Sequence, residues 1–379
     1  MATAPFLLIV VVLTALAFDF TNGFHDTANS MATSIATGAL RPRVAVAVAG
    51  VLNLAGAFLS TTVAKTISGG IVDDARVSLL MIFAGLVGAL LWNLMTWFAG
   101  LPSSSSHALF GGLIGAVWVG AGGSAVQFGA IVQKIVIPAI LSPVVACVVA
   151  VLATYFAYVI TGRTAPGRAL RGFRRGQVGS ASLVALAHGT NDAQKTMGVI
   201  TLALISAGVL THGSGPPWWV VLTSGLAIAL GTYMGGWRII RTMGRGLTDI
   251  EAPQGFAAET SATAVILASS HMGFPLSTTQ VCTGSILGAG LGRRLARVRW
   301  GVAGRIALSW LLTLPAAAAV GGAAAWIAGH GTGGVVLVAA SAAAAAVGFW
   351  ALSRRRPVTA DNVNELPTRT SEHTEQTAA

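Results

Sequence analysis

Two carboxylates in this chain stand in duplicated polar settings, and each setting interrupts a long apolar stretch. Asp26 lies in Asn22-Gly23-Phe24-His25-Asp26-Thr27-Ala28-Asn29-Ser30, and Asp192 in Ala187-His188-Gly189-Thr190-Asn191-Asp192-Ala193-Gln194-Lys195-Thr196. The two are 166 residues apart. A charged side chain inside a bilayer costs several kcal/mol on insertion scales, so intramembrane carboxylates mark ligand or ion sites more often than packing contacts. Pairing that only holds helices together is the alternative. Duplication at matched positions disfavours it.

A second pair of motifs carries hydroxyls. Pro102-Ser103-Ser104-Ser105-Ser106-His107 answers to Pro275-Leu276-Ser277-Thr278-Thr279-Gln280, 173 residues later, and each precedes a Gly-containing apolar run. Ser104, Ser105 and Ser106 would open one helix, and Ser277, Thr278 and Thr279 another. Free N–H groups, hydroxyls and the positive end of the helix dipole then point the same way, which makes a site for a small oxyanion. Plain N-capping explains one such cluster as well. Two at repeat-related positions favour a shared ligand.

Lys195 is one of three lysines, against twenty arginines. It follows Asp192 by three residues, so Asn191, Asp192 and Lys195 can share a helix face. Its ammonium can pair with Asp192, contact an anion, or stand where a similar site would hold a metal cation. His25 adjoins Asp26 and titrates in the physiological range, or else braces the backbone as a neutral ring. Glu259 lies within an apolar run and is a candidate for proton coupling; the other reading is a hydrogen bond to backbone. His107 and His188 are expected to support the ligating groups and not to contact ligand. Asn53 and Asn93 read as contacts between helices, Cys147 and Cys282 as small packing residues, and Trp218 and Trp219 as an interfacial aromatic belt.

The elements that must position these groups follow from composition. The chain of 379 residues is 54% hydrophobic and only 9% charged, against about 25% charged in soluble domains. It reads as an all-α polytopic membrane protein. The net charge of +11 sits in short arginine-rich segments between apolar spans, which points to cytoplasmic loops and away from nucleic acid. No motif indicates a cofactor, a resident metal or an enzyme. The first apolar stretch lacks a basic leader and a cleavage site, so it is expected to be a retained helix.

Hydropathy predicts spans near 5–40, 44–64, 77–99, 104–121, 130–160, 178–209, 217–236, 256–272, 277–292, 300–328 and 333–352. The segment 5–40 is too long for one straight span, so the polar stretch Thr21–Asp26 is expected to break it. The same is expected of 178–209 near Gly189–Asp192. The short spans 104–121 and 277–292 fit half-helices of two re-entrant hairpins, entered by 77–99 and 256–272. With the N-terminus outside, the loop carrying Asp73 and Asp74 falls outside. Arg41 and Arg43, then Arg163 to Arg175, Arg238 to Arg245, Arg293 to Arg299 and Arg354 to Arg356 all fall on the cytoplasmic face. That layout is an inverted-topology repeat: residues 1–162 as the first repeat, 163–177 as a basic cytoplasmic loop, 178–352 as the second repeat plus a final helix, and 353–379 as a disordered polar tail.

At these motifs the chain resembles the Pit family of inorganic phosphate transporters. The likeness runs through Phe18 to Asn29, Pro102 to Gly115, Ala187 to Gly198, Gly255 to Glu259 and Pro275 to Gly288. It implies an inverted-repeat fold with broken helices, and cotransport of orthophosphate with a cation across the plasma membrane. It further implies Asp26, Asn29, Ser104, Ser105, Ser106, Asn191, Asp192, Ser277, Thr278 and Thr279 as phosphate and ion ligands. The sodium-coupled branch usually has Asn at the positions of His25 and Lys195. An Asn carbonyl can ligate a hard cation and an ammonium cannot. The chain is therefore similar to the bacterial low-affinity branch, which implies proton symport of phosphate, free or as a neutral complex with a divalent metal, with His25, Asp26 and Glu259 as coupling groups. Gln280 replaces a His common at its position. Association with further copies is compatible with the sequence.

Three rivals are weighed. A sulfate permease of the same family would need no acceptor for a substrate proton, whereas phosphate can donate to Asp26 and Asp192. A membrane-embedded hydrolase needs one defined nucleophile and base, and two pseudo-symmetric copies suit binding better. A passive anion channel would not need buried, paired carboxylates.

Overall fold

The computed structural model describes residues 3–68, 76–163, 165–293 and 297–365. Among these the secondary structure is helical, apart from one isolated bridge between Thr248 and Val298. In chain order the α-helices are α1 (Thr3–Ala36), α2 (Pro42–Ala57), α3 (Thr62–Ser68), α4 (Leu79–Ala99), α5 (Ser105–Ala121), α6 (Phe128–Ile131), α7 (Ile137–Gly162), α8 (Pro166–Ser206), α9 (Trp218–Met234), α10 (Trp237–Arg241), α11 (Ala252–His271), α12 (Thr278–Leu291), α13 (Trp300–Ala328) and α14 (Thr332–Ser353). Among the described residues, five helical segments are long and apolar enough to cross a membrane: Pro5–Ala36, Leu79–Ala99, Phe128–Gly162, Trp300–Ala328 and Thr332–Ser353. The pair Trp218–Met234 and Trp237–Gly246, bent by 60°, makes a sixth if read as one span. Outward-facing Ile140, Val144, Val148 and Leu152 on α7 are exposed, as suits a face turned to lipid.

Several expected elements hold and several do not. The spans at 77–99, 104–121, 277–292, 300–328 and 333–352 are each within about two residues of an observed helix. The expected breaks in 5–40 and 178–209 are absent, because α1 and α8 run unbroken through Asp26 and Asp192. Their hydroxyls explain why no break is needed. Thr21 donates to Phe18 O at 2.8 Å, Thr27 to Gly23 O at 2.7 Å and Thr190 to Leu186 O at 2.8 Å, all within the helix itself.

The glycines of the two motifs are close-approach positions, not breaks. A Cβ on Gly23 would stand 2.3 Å from Ile228 O of α9, and one on Gly231 would stand 2.0 Å from Phe20 O of α1. Gly189 of α8 and Gly56 of α2 repeat this arrangement, each Cβ falling 2.3 Å from the partner helix's Asn53 O or Leu186 O. Small residues let helix backbones meet where lipid supplies no hydrophobic drive.

The excess length of α8 is at its start. The segment 163–177, expected as a basic loop, is helical from Pro166, and Arg168, Arg171, Arg174 and Arg175 occupy its first turns. At 1.5 Å per residue α8 spans about 60 Å, roughly twice a hydrocarbon core. The expected span 44–64 stops at Ala57; the chain turns, and α3 starts separately. Gln194 of α8 holds that start, its Oε1 accepting from the N–H groups of Val63 and Ala64 at 2.7 and 3.2 Å.

The polar tail also departs from expectation in its described part. Residues 357–365 fold back across the ends of α1, α2 and α10. Asp361 pairs with Arg43 at 3.3 Å, Asn362 Oδ1 accepts from Arg241 at 3.1 Å, and Asn364 donates to Ile35 O at 3.4 Å. Val363 is buried there. Polar composition suggested disorder, but these partners come from sequence-distant helix ends. Residues 366–379, Asp73, Asp74 and Arg294 lie outside the described residues.

Helix contacts come in matched pairs. α1 packs on α9 and α8 on α2; α4 on α5 and α11 on α12; α5 on α13 and α12 on α7. A Cβ on Gly111 or Gly115 would meet backbone oxygens of α13 at 2.4 and 2.0 Å, and one on Gly284 or Gly288 would meet those of α7 at 2.4 and 2.2 Å.

Candidate functional site

Helices α1 and α8 run antiparallel, and their register sets the site. Asn22 Nδ2 donates to Asp192 Oδ2 at 3.4 Å, His188 Nε2 lies 4.0 Å from Asp26 Oδ2, and Thr37 donates to Gln177 Oε1 at 2.7 Å. Advancing along α1 steps backward along α8. The two carboxylates thereby come together around His188, whose Nε2 is also 3.5 Å from Asp192 Oδ2. One ligand atom each from Asp26, His188 and Asp192 lies within 4.8 Å of the others, a spacing that one small substrate or ion can bridge. All three are buried.

Helices α5 and α12 close the site from the other side. α4 ends at Gly100 with φ 66°, and α11 is followed by Gly273 with φ 75°, each two residues before a proline. A left-handed glycine stops a helix without a Cβ clash, and the proline keeps the next residues extended. The extended stretch runs back along α4, where Ser103 donates to Thr96 Oγ1 at 2.9 Å. α5 therefore begins inside the protein, beside Asp26. Ser106 donates to Leu276 O at 3.2 Å, joining the start of α5 to the stretch before α12.

The expected hydroxyls divide by role. Ser104 and Ser277 are the N-caps, accepting from His107 N at 3.2 Å and Gln280 N at 3.3 Å. Ser105 donates to Asp26 Oδ1 at 3.2 Å, Thr279 to Asp26 Oδ2 at 3.3 Å, and Thr278 to Asp192 Oδ2 at 3.3 Å. Asn29 donates to Thr278 and Thr279 at 3.3 and 3.1 Å, and Asn191 to Ser270 at 2.8 Å. The amide oxygens of Asn22, Asn29 and Asn191 are buried without a partner. Such acceptors inside a protein call for a ligand or water.

Two cationic or ionisable neighbours complete the site. Lys195 Nζ lies 2.6 Å from Asp192 Oδ1, with both side chains buried. His25 Nδ1 lies 2.6 Å from Asp26 Oδ1, and its Nε2 lies 3.0 Å from Thr96 Oγ1. Thr96 spends its own hydrogen on Trp92 O at 2.9 Å, so it accepts from the ring. Both ring nitrogens of His25 thus face acceptors, an arrangement that accommodates a proton on each.

Glu259 is not brought to this centre. Its carboxylate accepts from Thr33 at 2.6 Å and Gln177 at 3.0 Å, and from Ser180. Thr33 follows Asp26 by seven residues, about 10 Å along α1. His188, by contrast, is more central than the sequence reading allowed. Asn53 orients it, its Oδ1 standing 3.1 Å from His188 Nδ1 while its Nδ2 donates to Thr232 at 2.7 Å. Its place one turn before Asp192 was the available signal. Asn22, Thr96, Ser103 and Ser270 were not among the expected site residues, although Asn22 and Ser103 lie within the polar motifs; residue type carries no signal of which sequence-distant neighbour a polar group meets.

Comparison with known proteins places the chain in a family. The sequence profile of the phosphate transporter family, PHO4, matches residues 22–321. A probable low-affinity inorganic phosphate transporter of Mycobacterium bovis is 57% identical over 364 residues, covering 95% of this chain and 87% of that protein. A protein of the same description from Bacillus subtilis is 43% identical over 323 residues, covering 85% of this chain and 97% of its own length. A solved structure, the sodium-dependent phosphate transporter, matches with a TM-score of 0.75 at 24% identity, over 85% of this chain and 98% of that one. At that identity the likeness is one of fold.

Proposed function

The chain belongs to the phosphate transporter family, and we propose that it imports inorganic phosphate, coupled to protons, through the site between α1, α5, α8 and α12. The convergence of Asp26 and Asp192 with the hydroxyl-bearing starts of α5 and α12 carries this reading. Hydrogen phosphate presents both P–OH donors and anionic oxygens. Carboxylates can accept from the former, while helix N-termini, Ser105, Thr278 and Thr279 can donate to the latter. Sulfate offers no proton at neutral pH and would meet the carboxylates as bare charges. The phosphate ligands are Asp26, Asn29, Ser105, Ser106, Asn191, Asp192, Lys195, Thr278 and Thr279, with Ser104 and Ser277 holding the two helix starts. A neutral divalent metal–phosphate complex suits the same carboxylates as cargo.

Proton coupling is supported by Lys195, whose ammonium lies 2.6 Å from Asp192, where a sodium ion would be repelled. His25, hydrogen-bonded between Asp26 and Thr96, is a further coupling group. Glu259 is a further coupling carboxylate, remote from the substrate. The antiparallel register of α1 and α8 and the matched helix contacts support an inverted-topology repeat, with α4–α5 and α11–α12 as re-entrant hairpins. Arg43, Arg238, Arg241 and Arg354 to Arg356 gather with the tail at one end of the helices, which supports a cytoplasmic C-terminus.

The test is uptake of labelled phosphate into proteoliposomes. Accumulation under an imposed pH gradient is expected, with no added effect of sodium. A strict sodium requirement would overturn the coupling, and equal competition by sulfate would overturn the substrate.

A further inference from the structure

A third carboxylate, Asp19, is fully buried on α1, and neither of its oxygens is held by a well-formed hydrogen bond; Thr196 and Asn22 offer it only weak ones. Asn22 Oδ1 and Thr196 Oγ1 are likewise buried without a well-formed hydrogen bond. The register of α1 against α8 explains the grouping. Asn22 faces Asp192. One turn back on α1 is Asp19, and one turn forward on α8 is Lys195, so an antiparallel pair sets Asp19 opposite Lys195.

Lys195 and Asp192 are the charges that act on Asp19. The other elements packed on this part of α1 supply none: α4 has no titratable residue, α9 has only the exposed Tyr233, and α2 only the exposed Arg43. Helices α5, α11 and α12 meet α1 from His25 onward, bringing Ser105, Thr279 and Glu259 there, and α5 carries the buried His107, on which Lys195 acts. Gly236 and Gly244, flanking α10 and its arginines, meet α1 at Phe24 and Ala32.

One ammonium thus stands between two buried carboxylates and is committed to Asp192. A buried carboxylate left ionised and unpaired costs several kcal/mol. A proton on Asp19 removes that cost, and so does the ammonium of Lys195.

We propose that Asp19 carries the coupling proton, and that Lys195 moves between Asp192 and Asp19 as that proton binds and leaves. This rests on the proton-coupled reading above. With Asp19 protonated, Lys195 stays on Asp192 and the substrate site carries one more unit of positive charge, so phosphate binds. When the O–H bond of Asp19 breaks, its electrons stay on the carboxylate and the proton passes to water on the releasing side. The flexible lysine stem swings the ammonium to Asp19. Asp192 is left bare against the substrate, and phosphate is expelled. Proton and phosphate affinities are thereby linked reciprocally.

Two assays on full-length protein in proteoliposomes test this: phosphate–phosphate exchange without a gradient, and accumulation driven by a pH gradient. Asp19→Asn should keep exchange within about threefold of wild type and lose accumulation by about tenfold or more, while Asp19→Glu keeps both. The Asn variant should also lose the part of the pH profile of phosphate affinity that exceeds the titration of phosphate itself. Accumulation by Asp19→Asn at the wild-type level would overturn the proposal. So would loss of exchange in Asp19→Asn, which would make the residue structural. Wild-type protein that fails to accumulate under a pH gradient would instead overturn the proton-coupled reading, and the present inference with it.

Discussion

The ammonium of Lys195 lies 2.6 Å from Asp192 Oδ1, and both groups are shut away from solvent. Among the described residues, the other lysine and arginine ion pairs, such as Arg43 with Asp361, have exposed or half-exposed partners. Breaking a buried pair from one side leaves an uncompensated charge, typically a loss of about 3–5 kcal/mol. Lys195→Met should therefore lower the melting temperature in detergent and abolish uptake. Adding Asp192→Asn should recover most of the melting temperature but none of the transport. If the double variant melts as low as the single one, the pair is not what holds this region.

The glycine crossings predict a sharp contrast in stability. Gly23→Ala would set a methyl 2.3 Å from Ile228 O, forcing α1 and α9 apart at a cost of roughly 1–3 kcal/mol. Gly179→Ala on exposed helix, with nothing within 4 Å of the added atom, should be neutral or stabilising by up to about 1 kcal/mol. Thermal melts of the two variants side by side decide the matter. Equal melting temperatures would mean that the crossing is not close in solution.

Neighbouring serines should separate by phenotype. Ser105→Ala removes a donor to Asp26, so it should raise the phosphate concentration for half-maximal uptake several-fold while the protein melts normally. Ser104→Ala removes the cap that accepts from His107 N, a loss of about 1 kcal/mol in stability, with a smaller effect on substrate affinity. Uptake kinetics and melts on both variants test the division. Thr278→Ala should follow Ser105→Ala.

The docked tail predicts a change in protease sensitivity. Val363→Asp would put a charge into the buried seat that Val363 fills. The exposed pair Arg43–Asp361 holds the segment only weakly, by about 0–1 kcal/mol. Cleavage between Pro357 and Glu365 in limited proteolysis should speed up several-fold, with the helical core intact. An unchanged cleavage rate would show that the valine does not anchor the segment.

Much of the architecture was legible in the sequence because it is set locally. Hydropathy over about 20 residues located the span at 300–328 without a shift. Ser104 and Ser277 announced the starts of α5 and α12. The doubled Asp and hydroxyl motifs were sufficient to identify the family.

What the tertiary structure alone decided is non-local. Whether Gly23 breaks α1 depended on Gly231, over 200 residues away, which turns the apparent break into a helix crossing. A polar run reads alike in sequence whether its groups bond back to their own helix or face a gap, so the unbroken course of α1 and α8 was hidden. His188 between Asp26 and Asp192, Glu259 drawn off to Thr33 and Ser180, and Asp19 set opposite Lys195 all follow from one antiparallel register. A residue's type states that a carboxylate needs a partner; only the packing of sequence-distant helices states which group supplies it, or that none does.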